Sequence, residues 1–173
     1  DYKVKEVELS FKGLPESFDG YRIAFISDIH IGSMWNPESE LEKLSSVVNS
    51  TAADVILFGG DLVNLHHSEL SQPILDRLSL IKARHGIFAV MGNHDTGSYV
   101  KGSTKEFRSE NMASLVGNAA TAGWVFLRDS TAYIRRGNDS IAITGVDYSE
   151  KLLEYKHSLN TIDGFDVSGI YDN

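Results

Sequence analysis

Short runs of apolar residues alternate along this chain with longer segments of helical periodicity. The apolar runs occupy residues 21–26, 55–58 and 87–91. The helical segments place apolar residues on one face, at Leu41, Leu44, Val47 and Val48 after an Asn36-Pro37 start, and at Ile74, Leu75, Leu78 and Ile81 ahead of Gly86. Strands that are apolar throughout and alternate with amphipathic helices are typical of a parallel sheet covered by helices, so the pattern predicts an α/β fold.

The chain on either side of this repeating region has a different pattern. Val7, Leu9 and Phe11 alternate with polar residues, which predicts a half-buried strand near the start of the sequence. After the third apolar run, residues 103–106 read Ser-Thr-Lys-Glu and fit a capping box. They predict a helix that ends at Gly117.

The last part of the pattern predicts strands again. The candidate strands are residues 124–127, 131–135 and 140–144, the last two joined as a hairpin across Gly137-Asn138-Asp139. The pairing therefore changes from parallel to antiparallel, and either a second sheet or a mixed one follows. Beyond the hairpin, Leu152, Leu153 and Leu159 fit a short helix, and the remaining residues are typical of a loop.

Composition agrees with one folded domain and excludes several classes of protein. The chain has 173 residues, of which 42% are hydrophobic, so a substantial core can form and disordered or fibrous proteins are excluded. The absence of cysteine removes disulfide frameworks, thiolate nucleophiles and cysteine-based metal sites. No apolar run approaches the length of a membrane span, so an anchoring or targeting segment is expected only outside this chain.

The charge balance restricts the class of ligand. Acidic residues outnumber basic residues by 24 to 16, and the formal net charge is −8. Because binding to a phosphate backbone needs clustered lysine and arginine, we expect no broad nucleic-acid binding. An anionic substrate would therefore need a local source of positive charge.

Each of the three apolar strands is followed by a polar side chain that can bind a ligand. These residues are Asp28, Asp61 and Asn93, which lie 33 and 32 residues apart. The carboxyl ends of parallel strands share one edge of the sheet, and open α/β sheets bind their ligands at that edge. The three side chains are therefore expected to converge.

The residue types at this edge suit divalent metal ions. Two carboxylates in one place repel each other unless a cation lies between them. Asp28 and His30 can bind one ion, Asp61 can bridge two ions through its two oxygens, and Asn93 offers a carbonyl oxygen to the second. A ligand set of oxygen and nitrogen suits manganese, iron or zinc. Two such ions, about 3.5 to 4 Å apart, stabilise an in-line displacement at phosphorus.

His94 and Asp95 are the candidate catalytic residues. His94 directly follows the candidate ligand Asn93, and we expect it to give a proton to the leaving oxygen. Asp95 is expected to fix the tautomer and the orientation of His94.

Three short motifs at the strand ends also resemble a known family. They are Asp28-x-His30, Gly60-Asp61 and Gly92-Asn93-His94-Asp95. In this order they resemble the first three motifs of the calcineurin-like metallophosphoesterases. The resemblance covers roughly residues 7–147 and implies a two-sheet α/β/β/α sandwich with a dinuclear metal site at the sheet edge.

The resemblance implies a role for each matching residue. Asp28 and His30 correspond to ligands of one metal ion, Asp61 to the bridging ligand and Asn93 to a ligand of the second ion. His94 corresponds to the acid or to a contact with the phosphate. The sequence around these motifs, with Gly145-Val146-Asp147, is similar to a bacterial branch that includes membrane-associated phosphodiesterases acting near lipid head groups.

The chain departs from the family in its second half. The family takes three further metal-binding histidines from that half, within Gly-His and Gly-His-x-His motifs. The only histidine after position 95 is His157, which has no such glycine context and is not assigned as a ligand. We therefore interpret residues 1–173 as a single metallophosphoesterase-like domain whose C-terminal part is missing from this chain. Because part of the ligand set is absent, we expect weak metal binding and little turnover from the chain by itself.

The leading hypothesis is metal-dependent hydrolysis of a phosphomonoester or phosphodiester by a metal-bridging hydroxide. By resemblance, two divalent metal ions (manganese, iron or zinc) act as cofactors. The substrate would be a phosphorylated small molecule or a lipid head group, with membrane proximity through a segment outside this chain. The alternative is a non-catalytic domain that binds a phosphorylated ligand or a partner and keeps a degenerate metal site. A nucleotide-binding domain is disfavoured because no Gly-x-Gly-x-x-Gly follows a strand.

Three residues near the motifs have two interpretations each. Asp147 is either a loop residue beside the site or a turn former, and the turn is favoured. Trp35 and Met34 follow the Asp28 loop and form either an apolar surface that faces the substrate or an edge of the core.

Overall fold

The computed structural model describes residues 2–148. Within them, four strands form one parallel sheet in the order β1-β2-β3-β4. They are β1 (Ile23–Ile26), β2 (Val55–Phe58), β3 (Ile87–Ala89) and β4 (Trp124–Phe126). Three helices accompany the sheet: α1 (Pro37–Ser50), α2 (Gln72–Leu78) and α3 (Lys105–Thr121). The antiparallel hairpin of β5 (Ser130–Arg136) and β6 (Asp139–Gly145) forms a second sheet.

The two faces of the parallel sheet are covered by different elements. The larger core cluster joins one face to all three helices, with Leu41, Ile56, Leu78, Leu115 and Trp124 among its buried members. A smaller cluster on the other face joins Phe18 and Val55 to Ile134 of the hairpin. The prediction of an α/β fold with two sheets is therefore confirmed, and β4 belongs to the parallel sheet rather than to the antiparallel part.

Helix α1 begins and ends as its local sequence predicts. The Asn36 side chain accepts a hydrogen bond from the Ser39 backbone N–H at 3.3 Å, and Pro37 occupies the first turn. Leu41, Leu44 and Val48 are buried, and the helix packs beside α2. The predicted apolar face is the face that meets the core.

Helix α2 is shorter than predicted. It ends at Leu78 instead of continuing toward Gly86. The Asn49 side chain of α1 donates to the Leu80 carbonyl and accepts from the Lys82 backbone N–H, both at 2.9 Å. These bonds satisfy backbone groups that lie beyond the end of the helix. Ile81, between them, remains buried with 1% exposure.

Helix α3 is longer than predicted. Its first turn is capped by Thr104, whose hydroxyl accepts from the Phe107 backbone N–H at 3.2 Å. It continues through Gly117 to Thr121, so the predicted end at Gly117 is wrong. Burial of Leu115 and Ala119 on either side of Gly117 stabilises the helix through this point.

The predicted first strand is absent. Residues 2–11 form no strand, and Val7, Leu9 and Phe11 are 67%, 67% and 64% exposed. A strand needs a neighbour for its backbone hydrogen bonds, and no described residue supplies one here. No helix among the described residues is long and apolar enough to cross a membrane. The predicted short helix at Leu152, Leu153 and Leu159 lies outside the described residues, as does His157.

Candidate metal centre

The loops that follow β1, β2 and β3 meet at one edge of the parallel sheet. The Asp28 backbone N–H donates to the Gly60 carbonyl at 3.0 Å, and the His30 N–H donates to the Asp61 carbonyl at 3.0 Å. Asp28, Asp61 and Asn93 line one cavity of about 330 Å³. The structure thus brings together the three strand-end residues that the sequence predicts to converge.

The most compact group of metal-capable side chains at this edge contains His30, Asp61 and His94. Each offers one ligand atom, and the three atoms lie within 4.8 Å of one another. The His30 Nε2 atom is 3.9 Å from Asp61 Oδ2 and 3.7 Å from Asp28 Oδ1. Ligand atoms each about 2.1 Å from one ion lie roughly 3 to 3.5 Å apart, so only small movements would close this group around a cation.

The backbone conformation at these residues is unusual. Asp28, His30 and Asp61 have positive φ values of 58°, 47° and 61°. The left-handed region costs a non-glycine residue about 1 to 2 kcal/mol, and such strain concentrates at functional sites. All three residues belong to the loops that meet at this edge of the sheet.

A close approach between two loops requires glycine at position 92. A Cβ atom there would lie 2.1 Å from Asp61 Oδ1 and 2.5 Å from the Asp61 backbone nitrogen. Any larger residue would therefore displace the Asp61 carboxylate.

Asp95 has a different role from the one expected. Its carboxylate is buried, with 0% exposure, and accepts hydrogen bonds from the backbone N–H groups of Asp61, Val63 and Gly92 at 2.8, 3.0 and 2.9 Å. Burial raises the pKa of Asp95 to about 6; the three backbone donors oppose this rise, and the charge of Asp61 adds to it. Asp95 thus fixes the Asp61 loop against the Gly92 loop and leaves the His94 ring to another group.

That group is a backbone carbonyl. The His94 Nδ1 atom lies 2.7 Å from the carbonyl oxygen of Asn64, and the His94 backbone N–H donates to Asp61 Oδ1 at 2.8 Å. Because a carbonyl only accepts, Nδ1 carries a proton, and Nε2 is the ring nitrogen left free of this contact. The backbone carbonyl of Asn64, and not the Asp95 carboxylate as expected, therefore orients the His94 ring. A backbone contact of this kind is not visible in a motif of side chains.

Tyr99 is a further residue at this edge that the sequence motifs do not contain. Its hydroxyl accepts a hydrogen bond from Asn93 Nδ2 at 2.8 Å, and its ring stacks on His94 with centroids 4.5 Å apart. His94 in turn meets His30 edge-on at 4.6 Å. Tyr99 stands six residues after Asn93 in a glycine-bounded loop and carries no spacing signal of its own.

Glu69 is a second residue that the motifs do not contain. One oxygen of its carboxylate accepts from the backbone N–H groups of Gly32 and Asn64, at 2.9 and 2.6 Å. The other oxygen accepts from Leu65 and His66, at 2.8 and 3.1 Å. Glu69 thus ties the loop after β1 to the loop after β2. Its position three residues after His66 has capping-box spacing, the one local signal that could have identified it.

The structure also separates the alternatives for three neighbouring residues. Asp147 lies beside the site: it lines the cavity, pairs with Arg128 and accepts a hydrogen bond from the Met91 backbone N–H at 3.4 Å. Met34 packs against the larger core, whereas Trp35 is 99% exposed. The favoured interpretation of Asp147 as only a turn former is therefore wrong.

The donor chemistry of the edge fits a divalent cation. Carboxylate oxygens of Asp28 and Asp61 face His30 Nε2 at distances beyond a hydrogen bond, and a ring nitrogen of His94 lies beside them. Carboxylate oxygens with imidazole nitrogens are a ligand set for manganese, iron or zinc.

Several known proteins are similar to this chain, and their names describe metallophosphoesterases or a pyrophosphatase. A transmembrane protein with a metallophosphoesterase domain from Danio rerio is 38% identical over 93 residues, which cover 54% of this chain and 21% of that protein. The UDP-2,3-diacylglucosamine pyrophosphatase LpxG of Chlamydia muridarum is 37% identical over 90 residues, covering 50% of this chain and 27% of that protein. The uncharacterized metallophosphoesterase YkuE of Bacillus subtilis is 31% identical over 91 residues, covering 50% and 30%.

The matched region is thus less than a third of the length of each of these relatives. The family model for calcineurin-like phosphoesterases matches residues 21–169, which is most of the chain and includes every strand and helix described above. That match contains the three strand-end loops and the cluster of His30, Asp61 and His94 that they assemble. The chain therefore belongs to the calcineurin-like phosphoesterase family.

Proposed function

We propose that the protein hydrolyses a phosphomonoester or a phosphodiester with two divalent metal ions held at the strand edge. The observation that carries this proposal is the convergence of the four proposed ligands: Asp28, Asp61 and Asn93 line one cavity, and His30 Nε2 lies 3.7 Å from Asp28 Oδ1 and 3.9 Å from Asp61 Oδ2. Membership of a phosphoesterase family supports the reaction class.

Each ligand has a place in the proposed site. Asp28 and His30 would hold one ion, Asp61 would serve both ions, and Asn93 would offer its carbonyl oxygen to the second. When bound, the ions supply a water of lowered pKa and neutralise charge on the phosphoryl oxygens. The Asp61 loop is held by Asp95, so its carboxylate is already in place before a cation arrives.

His94 is the group proposed to move the proton. The Asn64 carbonyl keeps the Nδ1 proton in place, so Nε2 is the atom that gains a proton and gives it to the leaving oxygen. Tyr99 on one face and His30 at the edge limit rotation of the ring. The Asn64 carbonyl would thus take the orienting role expected of Asp95.

The substrate class proposed is a phosphorylated small molecule or a lipid head group. LpxG, one of the relatives, is named for a phosphorylated diacyl sugar nucleotide, which supports the lipid side of this class. With a net charge of −8, the chain offers no broad cationic surface for such anions. The bound cations would therefore be the principal attraction for the phosphate.

The experiment is an Asp61→Asn exchange in the full-length protein, assayed with an aryl phosphodiester and Mn²⁺. The amide removes the charge and one of the two bridging oxygens, so we expect activity to fall by at least about 100-fold. Asp76→Asn is the matched control, because Asp76 is exposed on α2, away from the edge, and the same exchange there should leave activity unchanged. Activity that survives Asp61→Asn would defeat the proposal.

The second candidate is a domain that binds a phosphorylated ligand or partner without turnover. Among residues 2–148, the proposed second ion has only Asp61 and Asn93 as assigned ligands, and this observation favours a degenerate site. Metal analysis of the purified full-length protein separates the candidates. Two ions per chain favour hydrolysis, whereas fewer than two ions with no turnover favour binding alone.

A further inference from the structure

Tyr99 makes two contacts with the candidate site through two different parts of its side chain. The hydroxyl accepts from Asn93 Nδ2 at 2.8 Å, and the ring stacks on His94 at 4.5 Å with an interplanar angle of 28°. The residue is 54% exposed, so burial in the core does not explain its position.

The loop that carries Tyr99 is held by buried groups. Asn111 of α3, 1% exposed, donates to the Asp95 carbonyl at 2.9 Å. A Cβ atom at Gly97 would lie 2.9 Å from Asn111 Nδ2, so the loop packs directly against this side chain. The Thr96 hydroxyl donates to the Asn93 carbonyl at 2.8 Å and closes the turn. Tyr99 is therefore presented to Asn93 and His94 by a packed turn.

The hydrogen bond has a consequence for the amide of Asn93. An asparagine that binds a cation must offer its oxygen, and its NH₂ group then needs an acceptor elsewhere. The Tyr99 hydroxyl is that acceptor, so Asn93 Oδ1 is left for the cavity that Asn93 lines with Asp28 and Asp61. The reverse orientation would direct N–H groups at a cation.

We infer that Tyr99 is a positioning residue with two separable actions. Its hydroxyl sets the orientation of the Asn93 amide for the second metal ion, and its ring restricts the His94 imidazole. This inference rests on the proposed function, because it assigns to Tyr99 the support of the same metal site.

The test compares Tyr99→Phe and Tyr99→Ala in the full-length protein, with Tyr133→Phe as the matched control on the exposed face of the hairpin. Mn²⁺ binding is titrated by calorimetry, and phosphodiester hydrolysis is followed against Mn²⁺ concentration. Tyr99→Phe keeps the ring, so we expect about tenfold weaker binding of the second ion and a kcat restored by saturating Mn²⁺. Tyr99→Ala also frees His94, and its kcat should stay low at saturation. If Tyr99 had only a structural role, saturating Mn²⁺ would not restore kcat in Tyr99→Phe while leaving it low in Tyr99→Ala.

Three outcomes separate failure of the inference from failure of the proposed function. Unchanged Mn²⁺ affinity in Tyr99→Phe, with wild-type hydrolysis intact, would overturn the inference alone. A wild type that hydrolyses nothing, but whose Mn²⁺ binding is weakened by Tyr99→Phe, would overturn only the proposed function. A wild type that binds no Mn²⁺ would overturn both.

Discussion

Asp61 is held in place through both its backbone and its side chain. Its backbone N–H donates to Asp95, its carbonyl accepts from the His30 N–H, and its Oδ1 accepts from the His94 N–H. These bonds offset the cost of a left-handed conformation at φ 61°. The motif residues that the sequence singled out do lie together at this edge, but their roles as ligands remain predictions.

Gly92→Ala tests how closely the neighbouring loop must approach Asp61. The added methyl group would meet Asp61 Oδ1 at 2.1 Å, so the carboxylate or the loop must move. We expect a loss of about 1 to 3 kcal/mol in the free energy of unfolding, together with weaker metal binding. Urea denaturation and Mn²⁺ titration measure the two effects.

Gly117→Ala is the control for the same exchange. A Cβ atom at this position of α3 meets nothing within 4 Å. Alanine should therefore stabilise the protein by about 0.5 to 1 kcal/mol, because it favours the helix without a clash. A similar loss of stability in both variants would contradict the assigned close approach at Gly92.

Tyr21 provides a pH-dependent prediction at the opposite end of the sheet. Its hydroxyl lies 2.7 Å from His85 Nδ1, and burial, followed by the charge of Asp54, raises the pKa of Tyr21 to about 12. Between pH 10 and 12 the native state keeps a proton that the unfolded state has lost, so stability falls as pH rises. The stability advantage of wild type over Tyr21→Phe should shrink across this window. Parallel stability curves for the two proteins would disprove the assignment.

At the scale of elements, carboxylate side chains connect the loops after β1, β2 and β3, in addition to the backbone hydrogen bonds between the first two loops. Asp95 binds the loops after β2 and β3, and Glu69 binds those after β1 and β2. Each carboxylate accepts from three or four backbone N–H groups that have no partner within a helix or strand. The edge that carries the candidate metal site is therefore ordered by charge-assisted hydrogen bonds.

Glu69→Gln tests this connection. Each carboxylate oxygen accepts from two backbone donors, and the NH₂ group of glutamine would leave one pair without an acceptor. We expect a loss of about 1 to 3 kcal/mol of stability, and a lower kcat because the Asn64 carbonyl shifts from His94. Glu110→Gln, at an exposed position on α3, is the matched control and should change neither quantity. Equal stability of Glu69→Gln and wild type would refute the connection.

The ends of the elements show the limit of local patterns. The cap at Asn36 and the apolar face of α1 depend on neighbouring residues, and the sequence predicts both. The end of α2 depends on Asn49, more than 30 residues away along the chain from Leu80 and Lys82. Helix α3 continues past Gly117 because Leu115 and Ala119, on either side of it, are buried in the core. The hydrophobic periodicity of the sequence shows neither the contacts of Asn49 nor the burial around Gly117.

At the scale of the whole molecule, the larger core cluster, between the helices and the sheet, supports the edge. Leu78→Ala would open a cavity at a residue with 0% exposure, and we expect a loss of about 2 to 5 kcal/mol. Metal affinity of the remaining folded protein should stay the same, because Leu78 lies in the core at the end of α2 and is not one of the proposed ligands. Urea denaturation and Mn²⁺ titration give the two measurements.

Leu80→Ala is the control, since Leu80 is 46% exposed two residues later. Its stability should stay within about 0.5 kcal/mol of wild type. Comparable losses in the two variants would show that the assigned core boundary at the end of α2 is wrong.

The alternation of strands and helices, the one-sided face of α1 and the residue types at the strand ends were determined by the sequence itself. These features depend on local periodicity and on the chemistry of individual side chains. Only the tertiary structure decided that Asp95 binds backbone N–H groups, that Asn64 holds His94 and that Tyr99 meets Asn93. It also decided that residues 2–11 form no strand, despite their alternation. The physical reason is common to these cases: a hydrogen bond needs both of its partners, and a one-dimensional pattern shows only one of them.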